Sequence, residues 1–550
     1  MSEPASEGEC SSSLHSFTDT VEQSNLNSSH ENPENFEIVH DVPGGVCELA
    51  GLNLHADEKS LKSSDGKIEK ENDVNSDAEG DDDEQPTTSE NNSNNLKIDE
   101  DELNNFDVGA FLHSHSLHVF VLSEAGKPVY SLWGHEAELS SITGVLQTLA
   151  FFHCESNDEL LLIKSKLRSC VVFLRKPPLI LVCVAPCANL QSQFAFGRGF
   201  LSRLLSSVHQ QLLSITTMAQ LEQVFAKRPN FDARQLLKGA ENSLAGQIKW
   251  FLSDPAAILE SILVLPIGAT DRQQLGTILT QAAQGCKNLV FGLLLSGRHF
   301  VTVGRMRGYS VHPLDLQLLA NLVDCNPSFR NAESWVPVCL PHFDKGGFLH
   351  AHVSYVQDDC DACLLLLTVD RNAFFSLSEV RRKFVEKLKR SKCYDALMHA
   401  CVSVELPRLS KTSTTDLWHF MYKNRQLSQL CYSLFEPPYV TLGERRSLIN
   451  RYLKAIDQIK AYSVVDQQAA VIPVDRAIAS RSAPEGRFIR TYFKPTEHET
   501  LLAWLTPDFE LYCAFNPLIE KHSAVAKVEK LLKFLKKEDD RLFMMTLQVF

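Results

Sequence analysis

Two rhythms of apolar and polar positions alternate through most of this chain, runs of strand length and stretches with helical spacing. Val119, Phe120, Val121 and Leu122 form one short apolar run, and Val129, Tyr130 and Ser131 begin a second. Between them Glu124-Ala125-Gly126-Lys127-Pro128 supplies a glycine for positive φ and a proline that cannot join a central ladder, so the stretch predicts a hairpin. Leu139, Ile142, Val145, Leu146, Leu149 and Ala150 then recur at spacings of three and four, which predicts an amphipathic helix. Strand-length runs follow at 160–163, 170–174 and 179–184, with Arg175-Lys176-Pro177-Pro178 as the turn between the last two. Helical segments fill 190–225, and a further one spans 231–248. Residues 117–235 therefore read β-β-α-β-β-β-α.

The theme returns twice. Residues 258–400 show a strand at 262–265, a helix at 271–283 capped near Thr270, and a hairpin of 289–295 with 299–303 around Ser296-Gly297-Arg298. Strands at 336–340, 348–355 and 363–369 follow, then a helix from about 377 to 392. Residues 415–550 carry a weaker copy, with strands at 417–422, 488–493, 500–505 and 510–515 and a turn at Thr506-Pro507-Asp508-Phe509. A last helix at 525–537 places Val528, Leu531, Leu532 and Leu535 on one face. Similar order in three stretches argues for three tandem copies of one α/β fold.

Charge divides the chain differently. Residues 1–105 hold 27 acidic and 5 basic side chains, a net of −22, which leaves a net of +8 for the rest. This acidic, Ser- and Asn-rich tail, with Asp77-Ala78-Glu79-Gly80-Asp81-Asp82-Asp83-Glu84, has too little apolar surface to offset chain ordering and is expected to be disordered. Two roles fit it: a solvating spacer, or a segment that competes with membrane for basic surfaces and is tuned by phosphorylation. The first 30 residues are polar, and no apolar run approaches the roughly 20 residues of a spanning helix. The 15 cysteines are scattered in apolar contexts, which fits buried thiols in a reducing cytoplasm.

Motifs for cofactor or catalytic chemistry fail on inspection. Ala125-Gly126-Lys127-Pro128 lacks both the upstream glycine and the Ser or Thr of a phosphate loop. Gly197-Arg198-Gly199-Phe200-Leu201-Ser202 replaces the third glycine of a dinucleotide fingerprint with Ser202. Cys360 and Cys363 have metal-ligand spacing and follow His350 and His352, yet a turn leading into a buried strand is the simpler reading. No cofactor and no catalytic side-chain chemistry are expected. Basic residues do cluster: Arg381, Arg382, Lys383, Lys387, Lys389, Arg390 and Lys392 share one predicted helix, with Lys533, Lys536, Lys537 and Arg445-Arg446 as smaller groups. Such a face suits anionic lipid head groups. Nucleic acid fits poorly, because the aromatics do not interleave with these basic residues.

Hairpin followed by helix is the opening of a longin or roadblock-type domain. The residues go further. The run from His118 to Gly134, Gly144-Val145-Leu146-Gln147-Thr148-Leu149, Phe225-Ala226-Lys227-Arg228-Pro229-Asn230-Phe231-Asp232 and Trp335-Val336-Pro337-Val338-Cys339-Leu340-Pro341 resemble the Mon-one/SAND family. Glu499-Thr500-Leu501-Leu502-Ala503-Trp504 and Lys536-Lys537-Glu538-Asp539-Asp540-Arg541-Leu542-Phe543 continue the resemblance, whereas Leu132-Trp133 and segment 464–486 depart from it. The resemblance implies three longin-like domains, each an antiparallel sheet with flanking helices, at 117–235, 258–400 and 415–550. It implies a subunit of a heterodimeric nucleotide-exchange factor that pairs with a Ccz-one-like subunit and acts on the GTPase Rab seven. Rab five as recruiter, phosphatidylinositol 3-phosphate as lipid, and endosome maturation, vacuole or lysosome fusion and autophagy as setting come with it. A non-catalytic scaffold or tether for coat or SNARE proteins is the competing reading. Candidate GTPase contacts are the polar and aromatic residues of the first hairpin and helix: Glu124, Lys127, Tyr130, Trp133, Glu138 and Gln147. Candidate membrane contacts are Arg381, Arg382, Lys383, Lys387, Lys389 and Arg390.

Overall fold

The computed structural model describes residues 46–47, 108–134, 136–152, 158–164, 169–186, 197–357, 360–412, 414–469 and 490–550. Most of the acidic tail and residues 470–489, which include 470–486 of the atypical segment, lie outside them. Within the tail, Val46–Cys47 is described as a short strand.

The first unit begins with helix α1 (Val108–Ser114), then strands β1 (His118–Ser123) and β2 (Pro128–Ser131), helix α2 (Glu136–Phe152), and strands β3 (Leu162–Lys164), β4 (Ser169–Lys176) and β5 (Leu179–Pro186). Helices α3 (Arg198–Ile215), α4 (Met218–Lys227), α5 (Arg234–Leu237), α6 (Glu241–Ser253) and α7 (Pro255–Ile258) complete it. The sheet order is β3-β4-β5-β1-β2, and Val46–Cys47 pairs parallel with β3. Successive side chains of a strand point to opposite faces. Val119 and Val121 enter one core with α3 and α6, while Phe120 and Leu122 enter another under α2. Both faces are covered, so β1 is apolar without alternation.

In the second unit β6 (Ile262–Val264) leads to helix α8 (Ala269–Ala283), the hairpin β7 (Leu289–Ser296) and β8 (His299–Arg305), and helix α9 (Pro313–Asp324). Strands β9 (Ser334–Val338), β10 (Leu349–Tyr355) and β11 (Ala362–Thr368) follow, then helices α10 (Phe374–Lys389) and α11 (Cys393–Val402). The third unit has β12 (Leu417–Asn424), β13 (Gln429–Tyr432), the long helix α12 (Leu442–Ala469), β14 (Arg490–Pro495), β15 (Thr500–Leu505), β16 (Phe509–Phe515), α13 (Lys521–Lys537), α14 (Asp539–Leu542) and β17 (Gln548–Val549).

All three units share one topology. With β6 and β17 set aside, each unit has five strands, and taken in chain order the sheet places them third, fourth, fifth, first, second. The second and third units are also fused into one sheet. Strand β6 pairs parallel with β8 on one side and with β13 on the other, so it joins the second strands of both units. The expected first strand of the second unit is thus a splice between two units.

Helices α9 and α12 and strand β13 are among the elements the sequence did not anticipate, and boundaries moved at others, two helices among them. Helix α8 follows Gly268 with no side-chain cap, rather than a cap near Thr270. Helix α10 starts at Phe374 and ends at Lys389, after which α11 begins separately. The helices that follow the second strand of each unit meet different fates. Helices α9 and α12 both pack against α3 and α6 of the first unit. Helix α2, their counterpart, covers its own sheet and turns its other side outward.

Candidate functional site

The first hairpin and α2 form the region where sequence placed the working surface. The turn closes through Ser123, whose N–H donates to the Lys127 carbonyl and whose carbonyl accepts from the Gly126 N–H, both at 2.9 Å. Gly126 has φ +78°, which favours glycine, and a Cβ there would lie 2.6 Å from Gln147 Oε1, so any other residue would also push the Gln147 amide off the turn. Gln147 on α2 donates from Nε2 to the Glu124 carbonyl at 3.0 Å. Arg175 donates from Nη2 to Glu124 Oε1 at 2.8 Å, and the Glu124 N–H donates to the Pro178 carbonyl at 3.0 Å. Two neighbouring turns and one helix are therefore braced together.

This bracing revises the list of outward-facing candidates. Glu124 and Gln147 are half-buried and serve the turn itself. Lys127 is exposed, but its Nζ donates to the Asn230 carbonyl at 2.9 Å. Tyr130 lines a groove of about 340 Å³ with Pro128, Leu132, Arg234 and Glu241, and burial foremost, with Glu241 beside it, raises its hydroxyl pKa. Glu138 lies in α2, and its side chain is outside the described residues. Trp133 alone among the six offers a large apolar surface: it is 41% exposed, stacks on His115 at 4.1 Å and donates from Nε1 to the Leu117 carbonyl at 3.0 Å.

Two residues of this surface were missed. Val145 is 57% exposed and Phe152 76% exposed, although the helical period had assigned Val145 to the buried face. Leu139, Ile142, Leu146 and Ala150 do face the core, so the stripe is narrower than the sequence suggested. Val145 and Phe152 are seven residues apart, two helical turns on the same outer side. The signal was present as a surplus of apolar residues beyond one helix face.

The basic helix α10 is less uniform than its sequence. Arg381 turns inward, donating from Nη2 to the Tyr355 carbonyl at 3.1 Å and pairing with Glu333 at 3.3 Å. Arg382 pairs with Glu379 at 2.7 Å and Arg390 with Glu386 at 2.6 Å, while Lys383 lies 3.6 Å from Glu379. Lys387 reaches Gln281 Oε1 on α8 at 3.2 Å, and Lys389 is exposed. Glu379 and Glu386 thus offset part of the charge. Arg445 and Arg446 also turn to structural tasks, over the Phe435 ring and onto the Leu252 carbonyl.

The remaining motifs resolve as structure. Cys360 and Cys363 enter two different cores, Cys360 accepts from the Ala362 N–H, and His352 is held by Glu333 at 2.8 Å. Among the described residues no group of three or more His, Cys, Asp or Glu could hold a metal ion. Gly199 lets α3 approach α12, since a Cβ there would meet Asp457 Oδ2 at 2.7 Å. No helix among the described residues is long and apolar enough to cross a membrane.

Comparison with known sequences agrees with the triple topology. Residues 117–245, 287–386 and 416–539 match in turn the first, second and third longin domains of FUZ, MON1 and HPS1. The chain is 36% identical over 437 residues to the vacuolar fusion protein MON1 homolog A of Gallus gallus, covering 79% of this chain and 73% of that one. It is 35% identical over 441 residues to Protein SAND of Takifugu rubripes, covering 79% and 77%. Against the vacuolar fusion protein MON1 homolog of Arabidopsis thaliana it is 29% identical over 473 residues, covering 81% and 71%.

Proposed function

The chain belongs to the MON1 family of vacuolar fusion proteins, and from that premise we propose that it is one subunit of a heterodimeric guanine-nucleotide exchange factor for the late-endosomal GTPase Rab seven. Membership carries the coarse role, a trafficking factor in vacuolar fusion. The finer reading adds a Ccz-one-like partner subunit, recruitment by Rab five and anionic lipids such as phosphatidylinositol 3-phosphate, and service in endosome maturation and autophagy.

The observation that supports it is the unequal use of one helix. Copies α9 and α12 are spent inside the molecule against α3 and α6. Helix α2 keeps Val145 and Phe152 exposed, and Trp133, which lies between the hairpin and the start of α2, is exposed as well. Exposed aromatic and aliphatic anchors on a rigid element are what a protein partner uses. The braced turn of Glu124, Arg175 and Gln147 holds that element in place.

Exchange needs no acid, base or nucleophile from such a surface. A factor that binds the nucleotide-free GTPase more tightly than the loaded one shifts the population toward release. The protein is then a regulator of an enzyme, and half of the contact surface comes from the partner. For the membrane, the lipid-facing residues are Arg382, Lys383, Lys387, Lys389 and Arg390, with Arg381 excluded because it serves the fold.

The test is release of a fluorescent nucleotide from a panel of Rab proteins, with this chain alone and with a Ccz-one-like subunit. Acceleration on Rab seven by the pair, and little by the single chain, is expected. No acceleration of any Rab by the pair would overturn exchange activity and favour the scaffold or tether.

A further inference from the structure

Residues 547–550 cross from the third unit to the second and end in a place prepared for them. Strand β17 pairs parallel with β8, Gln548 opposite Gly304 and Val549 opposite Arg305, and the Phe550 N–H donates to the Arg305 carbonyl at 3.0 Å. The other end of the same β8 edge is taken by β6, with Leu263 opposite His299 and Val264 opposite Phe300. One edge of one strand is thus shared by the splice strand and this segment.

Three glycines from three elements make the room. Gly292 on β7 and Gly304 on β8 are register partners. A Cβ at Gly304 would lie 2.5 Å from the Phe550 ring, and one at Gly292 would lie 2.9 Å from it. On α8, a Cβ at Gly276 would lie 2.5 Å from Gln548 Cγ. None of the three has the positive φ that would itself demand glycine. Glycine inside a strand or helix costs about 0.5–1 kcal/mol relative to alanine. Here that cost is offset only while a peptide fills the space the missing side chains leave.

We infer that the groove between α8 and the end of β8 is a segment-binding site for an extended peptide that carries glutamine and, two residues later, an aromatic ring, filled in this chain by its own residues 547–550. Leu547 and Val549 face away from it and stay partly exposed, so the site reads alternate positions, as an added strand allows. The occupant enters through two fixed points. Arg272 on α8 donates from Nη2 to the Arg541 carbonyl at 2.7 Å, and Gln429 on β13 holds the backbone of Met544. Occupancy therefore ties the second unit to the third beyond what β6 provides.

The experiment removes residues 546–550 from the full chain and adds back a synthetic peptide of residues 545–550. The shortened chain should show a lower unfolding midpoint and faster hydrogen exchange across β8, and the peptide should restore both in a saturable manner. A peptide with Phe550→Ala should fail to do so. Gly304→Val in the full-length chain provides a milder perturbation that keeps the segment covalently present. It should raise exchange across β8 by about tenfold and resist rescue by peptide, since the added side chain occupies the ring's place. An unchanged midpoint after removal of 546–550, rescue by the Ala peptide, or a neutral Gly304→Val would each overturn the assignment. If the shortened chain does not fold, Gly304→Val and Phe550→Ala in the full chain decide the matter by the same exchange measurement.

Discussion

Gln429 and Met544 hold each other by two hydrogen bonds: the Gln429 Nε2 donates to the Met544 carbonyl at 3.0 Å, and the Met544 N–H donates to Gln429 Oε1 at 2.8 Å. Both residues are buried, so an apolar replacement leaves a backbone donor and acceptor unsatisfied. Each such group costs roughly 1–3 kcal/mol, and Gln429→Leu should lower stability by about 2–4 kcal/mol in chemical denaturation. A change below half a kcal/mol would show that the segment is not anchored there.

Stability should also fall in mild acid. His419 is fully buried, and burial holds its imidazole down to about 3, with Nδ1 lying 3.3 Å from the Tyr452 hydroxyl. The folded chain keeps this ring neutral while the unfolded chain protonates it near pH 6.5, so the unfolded state binds the extra proton. The contribution is complete above pH 6.5 and is lost as pH falls below it. Between pH 7.5 and 5.5 this one residue should remove about 1.4 kcal/mol, and His419→Gln should flatten the profile by that amount. An identical slope in the variant would contradict the burial argument.

The lipid face of α10 can be separated from its structural residue. Arg382→Glu, Lys383→Glu and Lys387→Glu together should strongly reduce binding to anionic liposomes, and wild-type binding should weaken as salt rises. Arg381→Glu should instead lower the unfolding midpoint, because it breaks contacts to Glu333 and the Tyr355 carbonyl. Liposome binding unaffected by the triple change would remove the membrane assignment from this helix.

What the sequence disclosed follows from the physics of each element. The hairpin at Gly126 and the strand at 179–184 were legible because turn chemistry and a continuous apolar run are local signals. Helix α12 was not. It packs against α3, α6, β14 and β15, so its apolar residues do not form one clean stripe. The splice role of β6 was also hidden, since partner choice between β8 and β13 is non-local and three residues look alike in any sheet. On the first hairpin and helix the sequence reading favoured polar residues. Glu124 and Gln147 were consumed by the turn; of the exposed apolar pair, Val145 had been counted toward the core and Phe152 had not been singled out.

The surface of α2 is the claim on which the proposed function stands. Val145→Asp with Phe152→Asp changes two exposed side chains, so the unfolding midpoint should stay nearly constant, surface changes being worth about half a kcal/mol or less. The direct measurement is fluorescent-nucleotide release from Rab seven by the heterodimer with and without this double change. Release slowed by about tenfold or more, a loss of roughly 1.4 kcal/mol of differential binding, with the heterodimer intact on gel filtration, is the predicted result. Undiminished release by an intact, folded double variant would contradict it.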